Sequence, residues 1–324
     1  MKAVLCEKFA PLDQLVVKEV PDPEAGPGQV VVDVCAAGVN YPDGLLVKGL
    51  YQMKPEFPFT PGTEVAGTVS AVGEGVTSVV LGDRVLGFCF LGGYAEKVVT
   101  SASSLMSLPD DIADEEAAGL ITAHATAHHA LKQRASIQPG ETLLVTGAAG
   151  GTGLAAVQIG KAMGARVIAA CSTDEKLAVA KANGADILIN YSEKDLKTEL
   201  KTVTDGRGVD VVYDVVGGDI FDALSRCMAW NGRLLVIGFA SGRIPRLPVN
   251  LALVKGYAVI GVFWGTFAQK QPSDYADNMQ ELLQWYRSGK VKVVVDGIYP
   301  LDGSVDALNK VMNREVTGKV ILKP

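Results

Sequence analysis

Most of what would announce a specialised partner is missing from this chain of 324 residues. It has no basic run and no arginine-rich helical pattern, and its net charge is −6, so the electrostatic footprint of a nucleic-acid binder is lacking. No apolar run reaches the ~18 residues that a membrane helix needs. The opening Met1-Lys2-Ala3-Val4-Leu5 runs into a charged strand pattern without an apolar signal stretch. Five cysteines (Cys6, Cys35, Cys89, Cys171, Cys227) are scattered with no C-x-x-C pair, which suits reduced thiols in a cytoplasmic protein. Histidines number three, all within His124-Ala125-Thr126-Ala127-His128-His129. His124 and His128 would share one helix face, as metal ligands can, yet no Cys or carboxylate at ligand spacing accompanies them. Nucleic acid, membrane and metal are therefore not expected partners. What remains is ordinary: 48% hydrophobic and 20% charged residues, enough for two domains with sizeable cores.

The most informative stretch is Val145-Thr146-Gly147-Ala148-Ala149-Gly150-Gly151-Thr152-Gly153. It follows the apolar run Thr142–Val145 and opens a helical pattern in which Ala156, Ile159 and Met163 recur on one face. Strand, glycine turn and helix are the context of a dinucleotide-binding turn. The pattern Ala148-x-Gly150-x-x-Gly153 lacks the usual first glycine. Gly150 still lets backbone approach a pyrophosphate, and Gly153 lets the helix pack closely; the helix N-terminus offers its N–H groups to phosphate.

Around this turn, strands alternate with helices from about residue 122 to 264. The strands are Thr142–Val145, Arg166–Ala170, Asp186–Asn190, Val209–Tyr213, Arg233–Ile237 and Ala258–Val262; Gly184 and Gly232 are placed as helix-ending glycines. Such interleaving predicts a doubly wound parallel sheet, the Rossmann α/β fold. Residues 1–121 read instead as short strands cut by turn clusters such as Gly26-Pro27-Gly28, which predicts a partly open antiparallel β-barrel. Within it Gly38–Asp43 and Tyr51–Glu64 are expected as loops that mix polar groups, aromatic rings and prolines, as a small-molecule cleft does. From 265 onward come an amphipathic helix capped by Ser273, a strand at Val291–Val295, a helix at Val305–Arg314 and a last strand at Lys319–Leu322. This tail is too short to fold alone, so it is expected to return to the first domain, giving 1–121 plus 265–324 around an inserted 122–264.

A strand that binds NAD usually ends in a carboxylate about 20 residues past the glycine motif, to hold the ribose hydroxyls. Here the strand ends in Cys171-Ser172-Thr173, with Lys176 following and Tyr191 closing the next strand. Hydroxyls and an ammonium favour a 2′-phosphate, so NADPH is expected over NADH. Asp174 and Glu175 are assigned to the first helical turn, where acids are favourable.

With these stretches in view, the chain resembles the medium-chain dehydrogenase/reductase superfamily over essentially its whole length. The carriers are Phe59-Thr60-Pro61-Gly62-Thr63-Glu64-Val65-Ala66-Gly67-Thr68-Val69, Val72-Gly73-Glu74-Gly75-Val76 and Gly82-Asp83-Arg84-Val85. Asn40-Tyr41-Pro42-Asp43, Ile189-Asn190-Tyr191, Val236-Ile237-Gly238-Phe239 and Phe263-Trp264-Gly265 are similar to its quinone oxidoreductase (zeta-crystallin-like) branch. The resemblance implies a Rossmann sheet inserted into a GroES-like barrel domain. It also implies a cofactor set of Asn40, Thr126, Ala148, Gly150, Gly151, Thr152, Gly153, Ser172, Lys176, Tyr191, Gly238, Phe239, Phe263, Trp264 and Lys319. The catalytic zinc of the alcohol dehydrogenases is held by a Cys that falls here at Asn40 and a His that falls at Thr63, neither a good zinc ligand.

Without that Lewis acid the resemblance implies NADPH-dependent, zinc-independent hydride transfer to acceptors electrophilic enough to take it unaided, quinones or enones. Asn40 and Tyr51 are the candidates to hydrogen-bond the substrate carbonyl, with water or Tyr51 as proton source and Asp43 orienting Asn40 or the cofactor. The alternatives are an enoyl-thioester (acyl-CoA) reductase, for which Lys48 and Lys54 would meet the CoA phosphates, and a non-catalytic nucleotide-binding, structural or RNA-binding protein. A homodimer is also implied, joined through the apolar edge strand Ala258–Val262.

Overall fold

The strand-rich opening and the alternating middle of the sequence separate in the computed structural model, which describes residues 1–324. One unit comprises Met1–Thr122 and Val293–Pro324, the other Ala123–Lys292.

In chain order, the first unit begins with β1 (Lys2–Leu5), β2 (Val16–Glu19), β3 (Gln29–Val39), α1 (Tyr41–Val47), β4 (Glu64–Val72), β5 (Arg84–Phe88), β6 (Lys97–Ser101) and β7 (Leu105–Ser107). The helix α2 (Asp114–His129) contains the boundary at 122/123. The second unit continues as β8 (Thr142–Thr146), α3 (Gly151–Ala162), β9 (Arg166–Cys171), α4 (Asp174–Ala182), β10 (Ile187–Asn190), α5 (Leu196–Val203) and β11 (Val209–Asp214). Then follow α6 (Ile220–Arg226), β12 (Met228–Val236), α7 (Val249–Lys255), β13 (Ala258–Gly261), α8 (Trp264–Lys270) and α9 (Pro272–Arg287). The chain closes in the first unit with β14 (Val295–Pro300), α10 (Ser304–Met312) and β15 (Lys319–Lys323).

The first unit is built on β3. This strand pairs antiparallel with β4, β6 and β15, in a sheet ordered β14-β15-β3-β4-β5-β7 with β6 laid on β3. Partners on so many stretches of one strand leave little of it to water, which is why it reads as an almost unbroken apolar run. The stretch expected as a loop at Gly38–Asp43 is instead the end of β3 and the start of α1. Asn40 is the N-cap residue, with the Asp43 side chain reaching back to its N–H, so a capping box converts the loop into a helix start.

The second unit is the expected parallel sheet, six strands in the order β10-β9-β8-β11-β12-β13. β8 lies at the centre, where the strand order reverses, and the crevice beyond the carboxyl ends of β8 and β11 is where such folds bind ligands. Gly184 ends α4 with φ +107° as expected, but Gly232 lies inside β12 rather than after a helix.

The return to the first unit falls at Val293, not at 265. α9 belongs to the second unit: Met279 and Leu282 are fully buried, Gln133 Nε2 donates to Asn278 Oδ1 at 2.9 Å, and Glu281 accepts from Lys132 at 2.7 Å. The N-cap of α9 is Gln271 with Pro272 in its first turn, rather than Ser273, and the strand expected at Val291–Val295 begins at Val295.

Candidate active site and nucleotide cradle

In the first unit five side chains from four segments meet in a buried polar cluster. Glu64, the first residue of β4, is fully buried, and Lys319, the first of β15, is 4% exposed. The Lys319 ammonium donates to Glu64 Oε1 at 2.6 Å, to Asn40 Oδ1 at 2.7 Å and to the Val39 carbonyl at 3.3 Å. Its three hydrogens are thereby placed. Asn40 Nδ2 donates to the same Glu64 oxygen at 2.8 Å and to the Gly38 carbonyl at 3.4 Å, while the Thr122 N–H donates to Glu64 Oε2 at 2.6 Å. The Asn40 amide has one workable orientation, because flipping it would set its NH₂ against the ammonium. Gly38 is required here: a Cβ would stand 2.2 Å from Glu64 Oε1.

Asp43 and Tyr94 complete the cluster. Asp43 Oδ2 accepts the Asn40 N–H at 2.8 Å and the Tyr94 hydroxyl at 2.7 Å, whereas Oδ1 is buried and without a hydrogen-bond partner. Burial pushes the Asp43 carboxyl up to about 7, opposed by these two hydrogen bonds. Burial together with the Asp43 charge raises the Tyr94 phenol well above its ordinary value. Tyr51 is half-buried on the segment after α1; burial, and then the Asp43 charge, raise its phenol too, so it is a protonated donor at neutral pH.

These contacts revise two assignments. Asn40 was the expected donor to a substrate carbonyl, but both amide hydrogens face Glu64 and Gly38, and the side chain is 7% exposed. Lys319 was expected to bind cofactor, but its ammonium is committed to Glu64 and Asn40. Asp43 Oδ2 accepts the Asn40 backbone N–H, the contact that starts α1. Glu64, Tyr94 and Thr122 escaped the reading of the sequence. The one available hint was a carboxylate opening an apolar strand, since a buried charge is almost always partnered.

A candidate nucleotide cradle lies at the carboxyl ends of the second unit's strands. Gly147 turns the chain with φ +59°, Gly150 caps α3, and Gly151, Thr152 and Gly153 form its first turn, whose N–H groups lack partners within the helix. The glycines do different jobs. A Cβ on Gly153 would stand 2.2 Å from the Gly147 carbonyl oxygen, so the turn itself demands it. At Gly150 the nearest atom to such a Cβ is 3.6 Å away. The protein's own packing leaves that space open, as backbone approach by a phosphate requires. The Cys171 thiol, ending β9, lies against the N–H groups of Ala148 and Ala149.

Asp214, also unforeseen, ties the strand ends together. Its Oδ1 accepts Thr146 Oγ1 at 2.7 Å and the N–H groups of Val216 and Gly217 at 3.0 and 3.1 Å. Its carbonyl accepts the N–H groups of Ile237 and Gly238, which sets the start of the Gly238-Phe239 segment. Ser172 and Lys176 stand at the end of β9 and start of α4, and Tyr191 follows the neighbouring β10, its N–H bonded to the Cys171 carbonyl. The acids between them are engaged. Asp174 Oδ1 accepts Asn190 Nδ2 at 2.9 Å, and the N–H groups of the first helical turn with the Thr173 hydroxyl lower the Glu175 carboxyl.

The remaining candidates lie elsewhere. Thr126 is half-buried on α2 and Phe263 is 57% exposed. Trp264, expected to contact cofactor, is 5% exposed with its ring edge-on to Tyr275 at 5.8 Å, so packing uses it. The histidines are packing residues as well. His128 Nε2 meets Glu281 at 3.0 Å and burial holds its imidazole down at about 4, while His129 stacks on Phe267 at 3.7 Å. No group of three His, Cys, Asp or Glu side chains is placed to hold a metal, and no helix is long and apolar enough to cross a membrane.

Known proteins share this fold. Residues 151–286 match the family described as zinc-binding dehydrogenase, and residues 26–110 match the alcohol dehydrogenase GroES-like domain. The chain is 40% identical to a quinone oxidoreductase-like protein 2 homolog of Nematostella vectensis, over 99% of this chain and 88% of that one. It is 32% identical to an alcohol dehydrogenase of Geobacillus stearothermophilus, over 100% and 99%. The solved structure of Escherichia coli quinone oxidoreductase complexed with NADPH superposes with a TM-score of 0.95 at 31% identity, covering 100% of both chains. The chain belongs to the medium-chain dehydrogenase/reductase superfamily, in its quinone oxidoreductase branch. It is an oxidoreductase with a Rossmann sheet and a GroES-like domain.

Proposed function

We propose that this oxidoreductase uses NADPH, without zinc, to reduce quinones or related α,β-unsaturated carbonyl compounds. The carrying observation is the state of Asn40. At the position where zinc-dependent relatives place a thiolate, this chain has an amide locked between Glu64 and Lys319, and Thr63 offers only a hydroxyl. Such a donor set does not suit zinc. The acceptor must then be activated by its own conjugation, and the protein contributes positioning and hydrogen bonding.

The cradle fits the cofactor. Gly150 leaves room for a pyrophosphate, the N–H groups of Gly151, Thr152 and Gly153 suit its charge, and Ser172, Lys176 and Tyr191 suit a 2′-phosphate. The NADPH complex of the E. coli relative supports the same choice. When bound, the nicotinamide supplies the hydride. Tyr51, its phenol raised by burial and so protonated at neutral pH, donates to the acceptor oxygen as charge grows there. Lys54, a candidate for CoA phosphates, instead bonds the Gly49 carbonyl and lies over the Phe9 ring, so the acyl-CoA reading gains no support.

The second unit also supports a homodimer. β13 is an edge strand, and beside it in sequence α7 exposes Val249, Leu253 and Val254 at 70–83%. Pairing with a second copy would cover both. Sedimentation would show a dimer that Ile260→Lys converts to monomer.

The deciding assay follows loss of reduced-nicotinamide absorbance with NADPH and NADH against a naphthoquinone, an enone and a short enoyl-CoA, with and without chelator. NADPH-preferring, chelator-resistant turnover of the quinone or enone is expected. Turnover of the enoyl-CoA alone, or loss of activity to chelator, would overturn the assignment.

A further inference from the structure

The buried cluster of the first unit holds one cation and two carboxyl groups. Lys319 is the cation, and its hydrogens are placed on Glu64, Asn40 and Val39. Glu64 receives three donors and is the carboxylate that balances it. Asp43, 1% exposed, touches no cation; Oδ2 accepts two hydrogen bonds and Oδ1 accepts none. Without touching it, Glu64 raises and Lys319 lowers the Asp43 carboxyl; the other titratable groups whose fields meet Asp43 are Tyr94, Tyr51 and Cys89, none of which brings a positive charge. Ionised, Asp43 would be a second buried negative charge sharing the one Lys319 cation with Glu64, held otherwise only by the hydrogen bonds from Tyr94 and Asn40. The cluster is neutral only when Asp43 carries its proton, and the orphaned Oδ1 is the atom left to carry it.

Tyr51 feels the Asp43 charge. We propose that Asp43 stands in the working protein as a neutral carboxylic acid, and that this neutrality lets Tyr51 stabilise negative charge growing on the substrate oxygen. An ionised Asp43 would oppose that growth through a low-dielectric interior. Asp43 is thus a positioning residue acting through Tyr51, and this rests on the reading of Tyr51 as the substrate's hydrogen-bond donor. Burial, which raises the Asp43 carboxyl to about 7, is consistent with a proton lost around neutrality.

The test has one arm that needs no substrate. Difference infrared spectra of the full chain should show a protonated-carboxyl carbonyl band at about pH 6 that fades by about pH 9 and is absent from Asp43→Asn. Absence of the band in the wild type overturns the proposal whatever the enzyme reduces. In the second arm, kcat/KM for the quinone should fall about tenfold or more over the same range. Asp43→Asn, which mimics the neutral acid, should flatten the fall with pH whatever its absolute rate. If Asp43→Asn instead keeps the wild-type fall with pH, the Asp43 proton is not its cause and the proposal fails. Tyr94→Phe keeps the test open should Asp43→Asn fold poorly. Removing a donor that favours the ionised form should move the infrared transition and the falling limb to higher pH, and a shift to lower pH would contradict the idea.

Discussion

The cradle of the second unit is built from backbone, and the buried cluster of the first unit from side chains. In the cradle Gly147, Gly150 and Gly153 set the path of the chain, and the groups offered to a ligand are N–H groups. In the cluster the Asn40–Asp43 helix start meets Glu64, Tyr94 and Lys319 from elsewhere in the chain, and the members hold one another through hydrogen bonds. A backbone site tolerates exchange of most side chains around it and fails at a few glycines. A side-chain site fails at any member, because every deletion leaves a buried group without its partner.

The largest effect should therefore come from the cluster. Lys319→Met strands Glu64 as an uncompensated buried carboxylate and should destabilise the first unit by about 3–5 kcal/mol in urea unfolding. The double variant Glu64→Gln, Lys319→Met removes both charges and should recover most of that loss. If the double variant is as unstable as the single one, packing rather than charge pairing holds the cluster together.

A second prediction sets the cluster against a buried polar contact in the other unit. Burial holds His128 at about 4, below the ordinary 6.5, with Glu281 opposing the shift. The unfolded chain then binds the extra proton first, so stability present above 6.5 is lost as pH falls toward 4. The loss attributable to this one group is about 2–3 kcal/mol. His128→Gln should flatten that acid limb. An unchanged limb would put acid instability in the carboxylates instead.

How legible each region was follows from its construction. The Gly147–Gly153 turn is local, and a strand before it with a helix after it specify one geometry, so the turn and the parallel sheet around it could be read from contiguous residues. The cluster is not local. Asn40 and Asp43 looked like a loop because the capping box that makes them a helix start depends on a side chain reaching back three residues. Lys319 was expected in the cofactor set because nothing near it in sequence reveals Glu64, 255 residues away. Trp264 looked like a cofactor residue for the same reason, its partner Tyr275 lying one helix further on. The late domain boundary was missed because the amphipathic face of α9 does not say which unit it packs against.

Within the cradle, the two glycines should separate folding from binding. Gly153→Ala places a methyl 2.2 Å from a backbone carbonyl and should cost about 1–3 kcal/mol of stability as the turn shifts. Gly150→Ala meets nothing closer than 3.6 Å, so stability should change by less than about 0.5 kcal/mol. Its NADPH affinity should nonetheless fall about tenfold, because the methyl occupies space the pyrophosphate needs. Equal stability losses in both variants would mean that Gly150 serves the fold and not the ligand.

The smallest effect belongs to a side chain on the rim of the backbone site. Lys176 opens α4, its N–H donates to Thr173 Oγ1 at 3.3 Å, and its charge reaches the Cys171 thiol. An ammonium at that edge attracts a 2′-phosphate through partly exposed surroundings, where one charge pair is worth about 1 kcal/mol. Lys176→Ala should therefore raise KM for NADPH about fivefold, leave KM for NADH unchanged and leave kcat alone, since the ribose end is remote from the reacting atoms. Added salt should narrow the difference between wild type and variant, because screening weakens an exposed contact far more than a buried one. The same salt should leave the Lys319–Glu64 pair unmoved, at 4% and 0% exposure. An equal rise in KM for both nucleotides would instead mean that Lys176 supports the α4 start and has no part in choosing between them.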